Sequence, residues 1–297
     1  MNQEPIKVKL VGGLGNQLFI WATATAISKR TGLRFNLDAT QCTQWGYQLG
    51  DFRIEAKYLA KLPPDGLLPT RIVKHDSRLI NFLRLLRQEL RKLRIGPNHW
   101  ERSNSFDSTV FSIKPGKVLC GYFQSYKYFL GFEKEIRNAL TGDFNGGEVF
   151  TNMVNQLHGN YWLAIHVRRH DYVLLSKTFG LTSEGYFIGA LNYIENIFPG
   201  VKKVVFSDDI TEARKLLPEC DLYIGKEELP SAVETLILMS KSSAIIGSNS
   251  SFSWWAAFLS EAPDHCKIFP EPWFRDESID TVDLVPPSWH RIQNSIR

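Results

Sequence analysis

Lys7-Val8-Lys9-Leu10-Val11-Gly12-Gly13-Leu14-Gly15-Asn16-Gln17 decides the fold class of this chain. Residues 7–11 read as a short strand that Gly12 and Gly13 bring to an end. A helical pattern follows at once, with Gln17, Leu18, Ile20, Trp21, Ala24, Ile27 and Ser28 spaced mostly by three and four, so that one face is expected to be buried. Residues 33–37 read as a second strand. A strand, a glycine turn, a helix and a strand in this order open an α/β fold with a parallel sheet.

Further along, residues 40–75 are weakly patterned and broken by Pro63, Pro64 and Pro69. Residues 77–94 are rich in leucine and carry Arg78, Arg84, Arg87, Arg91, Lys92 and Arg94. They predict a basic amphipathic helix, with either a solvated charged face or a face suited to an anionic membrane surface. Residues 117–121 read as a strand and 133–140 as a helix. The glycine-rich run 141–147 marks the expected boundary between an N-terminal domain, 1–145, and a C-terminal domain, 146–297. Beyond it the alternation restarts. Strands are expected at 163–167, 204–207, 222–224 and 244–247, with helices at 186–198, 210–217, 232–241 and from 253 onward. Two such halves in tandem predict two Rossmann-like, doubly wound domains facing across a cleft, the architecture called GT-B.

Bulk properties narrow the function classes. The chain has 297 residues, enough for two medium domains, with 43% hydrophobic and 22% charged residues. A formal charge of +4 is too small for a protein that coats nucleic acid, yet it suits a phosphate-bearing ligand. Cys42, Cys120, Cys220 and Cys266 show no paired spacing and are expected to be reduced thiols. The first residues lack the apolar core of a signal peptide, and no run of about 18 apolar residues occurs. The expected location is cytoplasmic, with peripheral membrane contact through 78–94 left open.

Four motifs carry chemistry. In the first, Gly13, Gly15 and Asn16 sit where glycines after a strand let a ligand approach the backbone and the helix behind offers N–H groups to anions. Gly13 and Gly15 also match two positions of a dinucleotide fingerprint, but Leu18 takes the third, while Asp38 ends the second strand where a ribose-binding acid belongs. In the second, Ile165-His166-Val167-Arg168-Arg169-His170-Asp171-Tyr172 leaves a strand at its C-terminal end. Paired arginines there fit a phosphate group bidentately. His166 is either a donor-site residue or a satisfied core histidine. In the third, Phe206-Ser207-Asp208-Asp209 places two adjacent acids whose side chains diverge, a pattern better suited to a guanine or ribose contact than to a metal, with an N-cap role for Asp209 as the alternative. In the fourth, Ser250, Ser251, Phe252 and Ser253 precede Trp254 and Trp255 at an expected helix start, where hydroxyls and backbone N–H groups can hold a diphosphate and the two tryptophans anchor the helix.

Together, GGLGNQLF, IHVRRHDY, VVFSDD and GSNSSFSWW resemble the α-1,2-fucosyltransferases of glycosyltransferase family 11 over nearly the whole chain. His170 stands where that family usually has glycine. The resemblance implies GDP-β-L-fucose as donor, inverting transfer to the 2-hydroxyl of a galactose on a glycan acceptor, and no metal or other cofactor. On this reading Arg168 stabilises the leaving diphosphate and Arg169 assists or holds the loop. His166, Asp171 and Asp38 are the candidate bases. Gly13, Gly15, Asn16, Asp208, Asp209 and residues 250–253 contact the donor. Two alternatives stay open: an NAD(P)-dependent oxidoreductase resting on Gly13, Gly15 and Asp38, and a non-catalytic glycan-binding protein.

Overall fold

The computed structural model describes residues 3–59, 97–169 and 178–295. The basic stretch 78–94 and the residues His170, Asp171 and Tyr172 lie outside them. The chain divides into two compact units, Met1–Ile136 and Arg137–Arg297.

The first unit contains β1 (Ile6–Lys9), α1 (Leu14–Thr31), β2 (Phe35–Ala39), β3 (Tyr58–Leu59), β4 (Asn98–Trp100) and β5 (Val118–Cys120). The five strands form one sheet in the order β3-β2-β1-β5-β4, and every pairing is parallel. The helix α1 departs from the expected single buried face: Gln17 through Ala24 are buried without interruption. It lies against the sheet on one side, while the 3-10 segments Ser108–Ser112 and Tyr126–Phe129 cover it from elsewhere, Phe19 meeting Phe129 with ring centroids 6.2 Å apart. A helix enclosed this way is apolar all round, which blurs its sequence period. The short strands β3 and β4 have no sequence signal of their own, being two and three residues long.

The helix α2 (Glu133–Thr141) leads into the second unit, which continues with α3 (Glu148–Leu157), β6 (Trp162–Val167), α4 (Glu184–Ile197), β7 (Lys202–Ser207), α5 (Ile210–Leu216), β8 (Leu222–Ile224), α6 (Ala232–Ser240), β9 (Ala244–Ile246), α7 (Ser251–Leu259), β10 (Lys267–Glu271) and β11 (His290–Gln293). Its six strands run in the order β11-β10-β9-β6-β7-β8, again all parallel. All six residues of β6 are buried, as a central strand covered on both faces requires. Leu163, Ile165 and Val167 pack with Tyr186, Phe187, Ala190 and Ile194 of α4. The alternate residues Trp162, Ala164 and His166 therefore serve the opposite face. Sequence signals end at Leu259, yet β10 and β11 extend the sheet. Pro270 lies inside β10, where a missing N–H hides the strand from a propensity reading. The four cysteines are free thiols. No helix among the described residues is long and apolar enough to cross a membrane.

A tight turn follows β5. Both oxygens of Glu101 accept backbone N–H groups there, from Tyr122 at 2.7 Å and Phe123 at 2.8 Å. They hold Phe123 at φ 53°, a left-handed conformation that costs a non-glycine residue energy. Burial outweighs these two bonds and pushes the Glu101 carboxyl up to about 7. A carboxyl raised on folding favours the folded state in acid, and that contribution fades as the pH climbs through its folded value. Measured by denaturant titration between roughly pH 5 and 8, wild type is expected to lose stability steadily relative to Glu101→Gln. A difference independent of pH would show that this carboxyl does not titrate in the range.

Candidate active site

In the second unit the chain builds outward from β6 in two directions. β7 and β8 go to one side, then the chain crosses back to lay β9, β10 and β11 on the other. Open parallel sheets take ligands beyond the carboxyl ends of their strands at such a reversal, because the two following loops part there. The site is therefore expected at the ends of β6 and β9. Those ends carry His166, Arg168 and Arg169 on one side and residues 247–253 on the other.

The two loops are joined by a buried contact: Ser248 Oγ lies 2.9 Å from His166 Nδ1. Burial, with a smaller contribution from the charge on Arg168, pushes the imidazole down to about 3. The ring is neutral at physiological pH and stacks obliquely near Phe252, with centroids 5.4 Å apart. Gly247 is required by the same junction: a Cβ there would collide with the Phe269 ring of β10. Its carbonyl accepts a hydrogen bond from Tyr186 Oη at 2.5 Å.

The arginines diverge in role. Arg169 is buried, and its guanidinium donates to the carbonyls of Arg168 and Thr182. It ties the strand end to the segment beginning at Thr178. Arg168 is partly exposed and directs Nε toward Asp208 Oδ2 at 3.2 Å, an ion pair without full hydrogen-bond alignment. The other Asp208 oxygen accepts the Arg169 backbone N–H at 2.9 Å. Asp208 thus aims the first arginine and fixes the backbone of the second. Its neighbour Asp209 caps α5 by accepting from Glu212 N at 3.0 Å. Ser207 Oγ closes the junction by donating to Val167 O across β6 and β7 at 2.8 Å.

At the start of α7 the serines are also differentiated. Ser250 is the N-cap, its hydroxyl accepting from Phe252 N at 3.3 Å. Ser253 is fully buried, and its hydroxyl faces the carbonyls of Ser248 and Ser250 rather than a ligand. Ser251 and Phe252 are partly exposed. Trp254 and Trp255 are fully buried and anchor the helix, with the Trp254 indole donating to Leu284 O at 2.8 Å. A residue the motif reading passed over is Asn249. It is buried and its Nδ2 reaches the carbonyls of Phe179, Gly180 and Trp273, so it holds three chain segments around the site. Its position inside the serine run is the only signal the sequence offers.

The first unit has a comparable reversal between β1 and β5. Gly12 adopts φ 76°, and a Cβ there would strike the Asn16 side chain, so glycine is needed for both reasons. Asn16, at the start of α1, accepts from Gln124 Nε2 at 2.7 Å, joining the loops after β1 and β5. Gly13 and Gly15 border the same turn, Gly15 buried and Gly13 half-buried. Asp38 is engaged locally: Lys7 Nζ is 2.8 Å away, and Thr40 donates both its N–H and its hydroxyl. Burial alone would raise this carboxyl, but the bonds from Lys7 and Thr40 prevail and hold it below its ordinary value. Among the described residues, no group of three or more His, Cys, Asp and Glu side chains could hold a metal ion.

Comparison with known proteins matches this chain to Glycosyl transferase family 11 over residues 5–293. An α-1,2-colitosyltransferase of Escherichia coli is 27% identical, covering 97% of this chain and 99% of its own. A galactoside 2-α-L-fucosyltransferase of Caenorhabditis elegans is 26% identical, over 62% of this chain and 56% of its own. The solved fucosyltransferase NodZ from Bradyrhizobium shares the fold at a TM-score of 0.50 and 15% identity, over 87% of this chain and 94% of that one. With motifs, sheet topology and a match spanning nearly its entire length in agreement, the chain belongs to glycosyl transferase family 11.

Proposed function

We propose that this glycosyltransferase moves L-fucose from GDP-β-L-fucose, with inversion, to the 2-hydroxyl of a galactose residue on a glycan acceptor. The observation that carries the reading is Arg168, aimed by Asp208 at the end of β6, on the strand that reverses toward the serine-capped start of α7. The second unit binds the donor and the first the acceptor. The family membership supports the reaction class. The linkage draws support from two relatives whose names specify transfer to a 2-position.

The chemistry follows from where charge develops. As the glycosidic bond breaks, the departing GDP gains negative charge on its outer phosphate. Arg168 and the backbone N–H groups at the start of α7 stabilise that charge as it grows, which lowers the barrier and not merely the energy of the bound donor. Asp208 contributes by holding the guanidinium in one orientation. Arg169, Asp209, Ser250 and Ser253 support the donor site by fixing the loops that form it. The fixed cation takes the place of a divalent ion. Neither Asp208 nor Asp209 offers an idle carboxylate, since one carries the arginine pair and the other caps α5.

His166 acts as a neutral spacer that sets Ser248, and through it the entry to α7. Its ring is buried and its Nδ1 is engaged by Ser248, which suits it to positioning the loop rather than to taking the acceptor proton. Asp38 is occupied by Lys7 and Thr40, and Asp171 lies outside the described residues. Asp171 stays among the candidate bases.

A second donor has a specific observation behind it. The relative that covers 97% of this chain transfers colitose, which is fucose without its 3-hydroxyl. Purified protein should be offered GDP-fucose and GDP-colitose with a panel of β-galactosides, and the products analysed for linkage. Fucose on the galactose 2-hydroxyl is the expected product. Transfer from GDP-colitose alone would move the assignment to the second donor, and a product linked elsewhere would overturn the regiochemistry. GDP is expected to raise the melting temperature and NAD to leave it unchanged, which separates this reading from an oxidoreductase.

Arg168→Ala is expected to lower kcat by roughly 10²-fold, the usual cost of one lost oxyanion-type donor. Its melting temperature should match wild type. Arg168→Lys should recover little, because a lysine cannot present the planar edge that Asp208 orients. Turnover near wild type in Arg168→Ala would remove this residue from the mechanism.

A further inference from the structure

The first unit carries an exposed aromatic side chain, Trp45, beside its glycine turn, and the chemistry at Arg168 gives it no role. Trp45 is 39% exposed although it belongs to a loop fixed from several sides. Gln17, fully buried, donates to the carbonyls of Gly12 at 2.9 Å and Gly46 at 2.8 Å, while its oxygen accepts from Gln48 N at 3.0 Å. One side chain thus fastens the Trp45 loop to the glycine turn. On the other side of Trp45, Cys42 Sγ contacts Leu10 O at 3.4 Å and Gly46 N donates to Cys42 O at 2.9 Å. The indole lies over Gly13, where even an added Cβ would be 3.8 Å from the ring. Across the same turn, Asn16 and Gln124 are paired by their amides. Tyr122, 49% exposed, projects from the turn that Glu101 holds.

These groups share one edge of the sheet. Asn16 follows β1, Trp45 follows β2, Glu101 follows β4, and Tyr122 and Gln124 follow β5. All four strands are parallel, so their following loops gather at the carboxyl end, around the reversal between β1 and β5. A tryptophan kept half-exposed on a braced loop loses little conformational freedom when something binds it. Amide side chains beside it provide both donors and acceptors without charge. An uncharged ligand with one apolar face and a rim of hydroxyls matches this set. A galactopyranose is such a ligand: its axial 4-hydroxyl gathers three C–H groups on one face of the ring.

We propose that Trp45 is the stacking floor of an acceptor subsite in the first unit, with Gln124, set in place by Asn16, hydrogen-bonding the hydroxyl rim of a galactopyranose. The assignment rests on the transferase reading above for the name acceptor, but not for the existence of a sugar site. The indole selects a ring with a continuous apolar face, so it discriminates galactose from its 4-epimer glucose, whose equatorial 4-hydroxyl turns no extra C–H to that face. Trp45 is thereby a specificity-determining residue.

The test uses the full chain, wild type and with Trp45→Ala and Trp45→Phe. Saturation-transfer NMR with methyl β-D-galactopyranoside, in the absence of donor, should show a signal for wild type that Trp45→Ala loses and Trp45→Phe partly keeps. Methyl β-D-glucopyranoside should give a weaker signal. In the transfer assay with GDP-fucose, Trp45→Ala should raise the KM for lactose by roughly ten-fold or more, the loss typical of truncating a tryptophan anchor. The kcat at saturating lactose and the KM for GDP-fucose should stay within about two-fold, a smaller change than a lost anchor produces. A Trp45→Ala enzyme with unchanged lactose KM, or one that loses donor affinity instead, overturns the subsite. Should wild type transfer nothing from GDP-fucose, the donor reading fails by itself. Galactoside binding sensitive to Trp45 then still upholds the subsite, and binding unaffected by the substitution rejects it.

Discussion

The reversal of strand order beside β6 is the constraint from which the second unit's chemistry descends. A parallel sheet that grew in one direction only would send every crossover the same way and leave no parting between loops. By placing β9 against β6 after β7 and β8 are laid down, the chain brings Arg168 and the start of α7 to adjacent strand ends. The gap this opens must be held at a fixed width, and the buried contact of His166 with Ser248 does so. A neutral imidazole suits that position better than a charged one. A second cation beside Arg168 would be repelled by it and poorly solvated.

The first unit meets the same constraint with different side chains. Its reversal lies between β1 and β5, and an amide pair, Asn16 with Gln124, joins the two loops. Both units therefore bridge their reversal with an uncharged hydrogen bond. They differ in what surrounds the bridge. The second unit adds Arg168 and Asp208, a charged pair suited to a phosphate. The first adds Trp45 and Tyr122, aromatic faces suited to a neutral ring. The same topological device thus carries a charged pair in one unit and aromatic faces in the other.

Much of this was legible in the sequence where local physics acts alone. The β6 and β8 regions are short apolar runs between turn signals, and the cap that Asp209 provides for α5 was one of the two readings open to that residue. The anchoring of α7 by Trp254 and Trp255 also followed from the residues themselves. What the sequence withheld is tertiary. The all-round burial of α1 depends on two 3-10 segments about a hundred residues downstream. The division of labour between Arg168 and Arg169 cannot be seen in a dipeptide, because successive side chains leave a strand end on opposite sides and only the fold says which side holds Thr182. Asn249 and Gln17 were invisible for a similar reason: amides look alike until the carbonyls they brace are known.

The pairing of Arg168 with Asp208 raises a question of magnitude. In the proposed mechanism a carboxylate beside Arg168 weakens its pull on a diphosphate, so the pair looks wasteful if attraction alone mattered. Yet an arginine at a half-buried strand end needs a counter-charge while the site is empty, and a long side chain without one would sample many rotamers. Keeping Nε beside the carboxylate narrows the places the guanidinium can occupy and leaves less to reorganise when charge moves onto the phosphate. In that mechanism the carboxylate lowers affinity for the donor in the ground state and preserves orientation in the transition state. Since only the second effect speeds the reaction, the exchange favours turnover over tight binding.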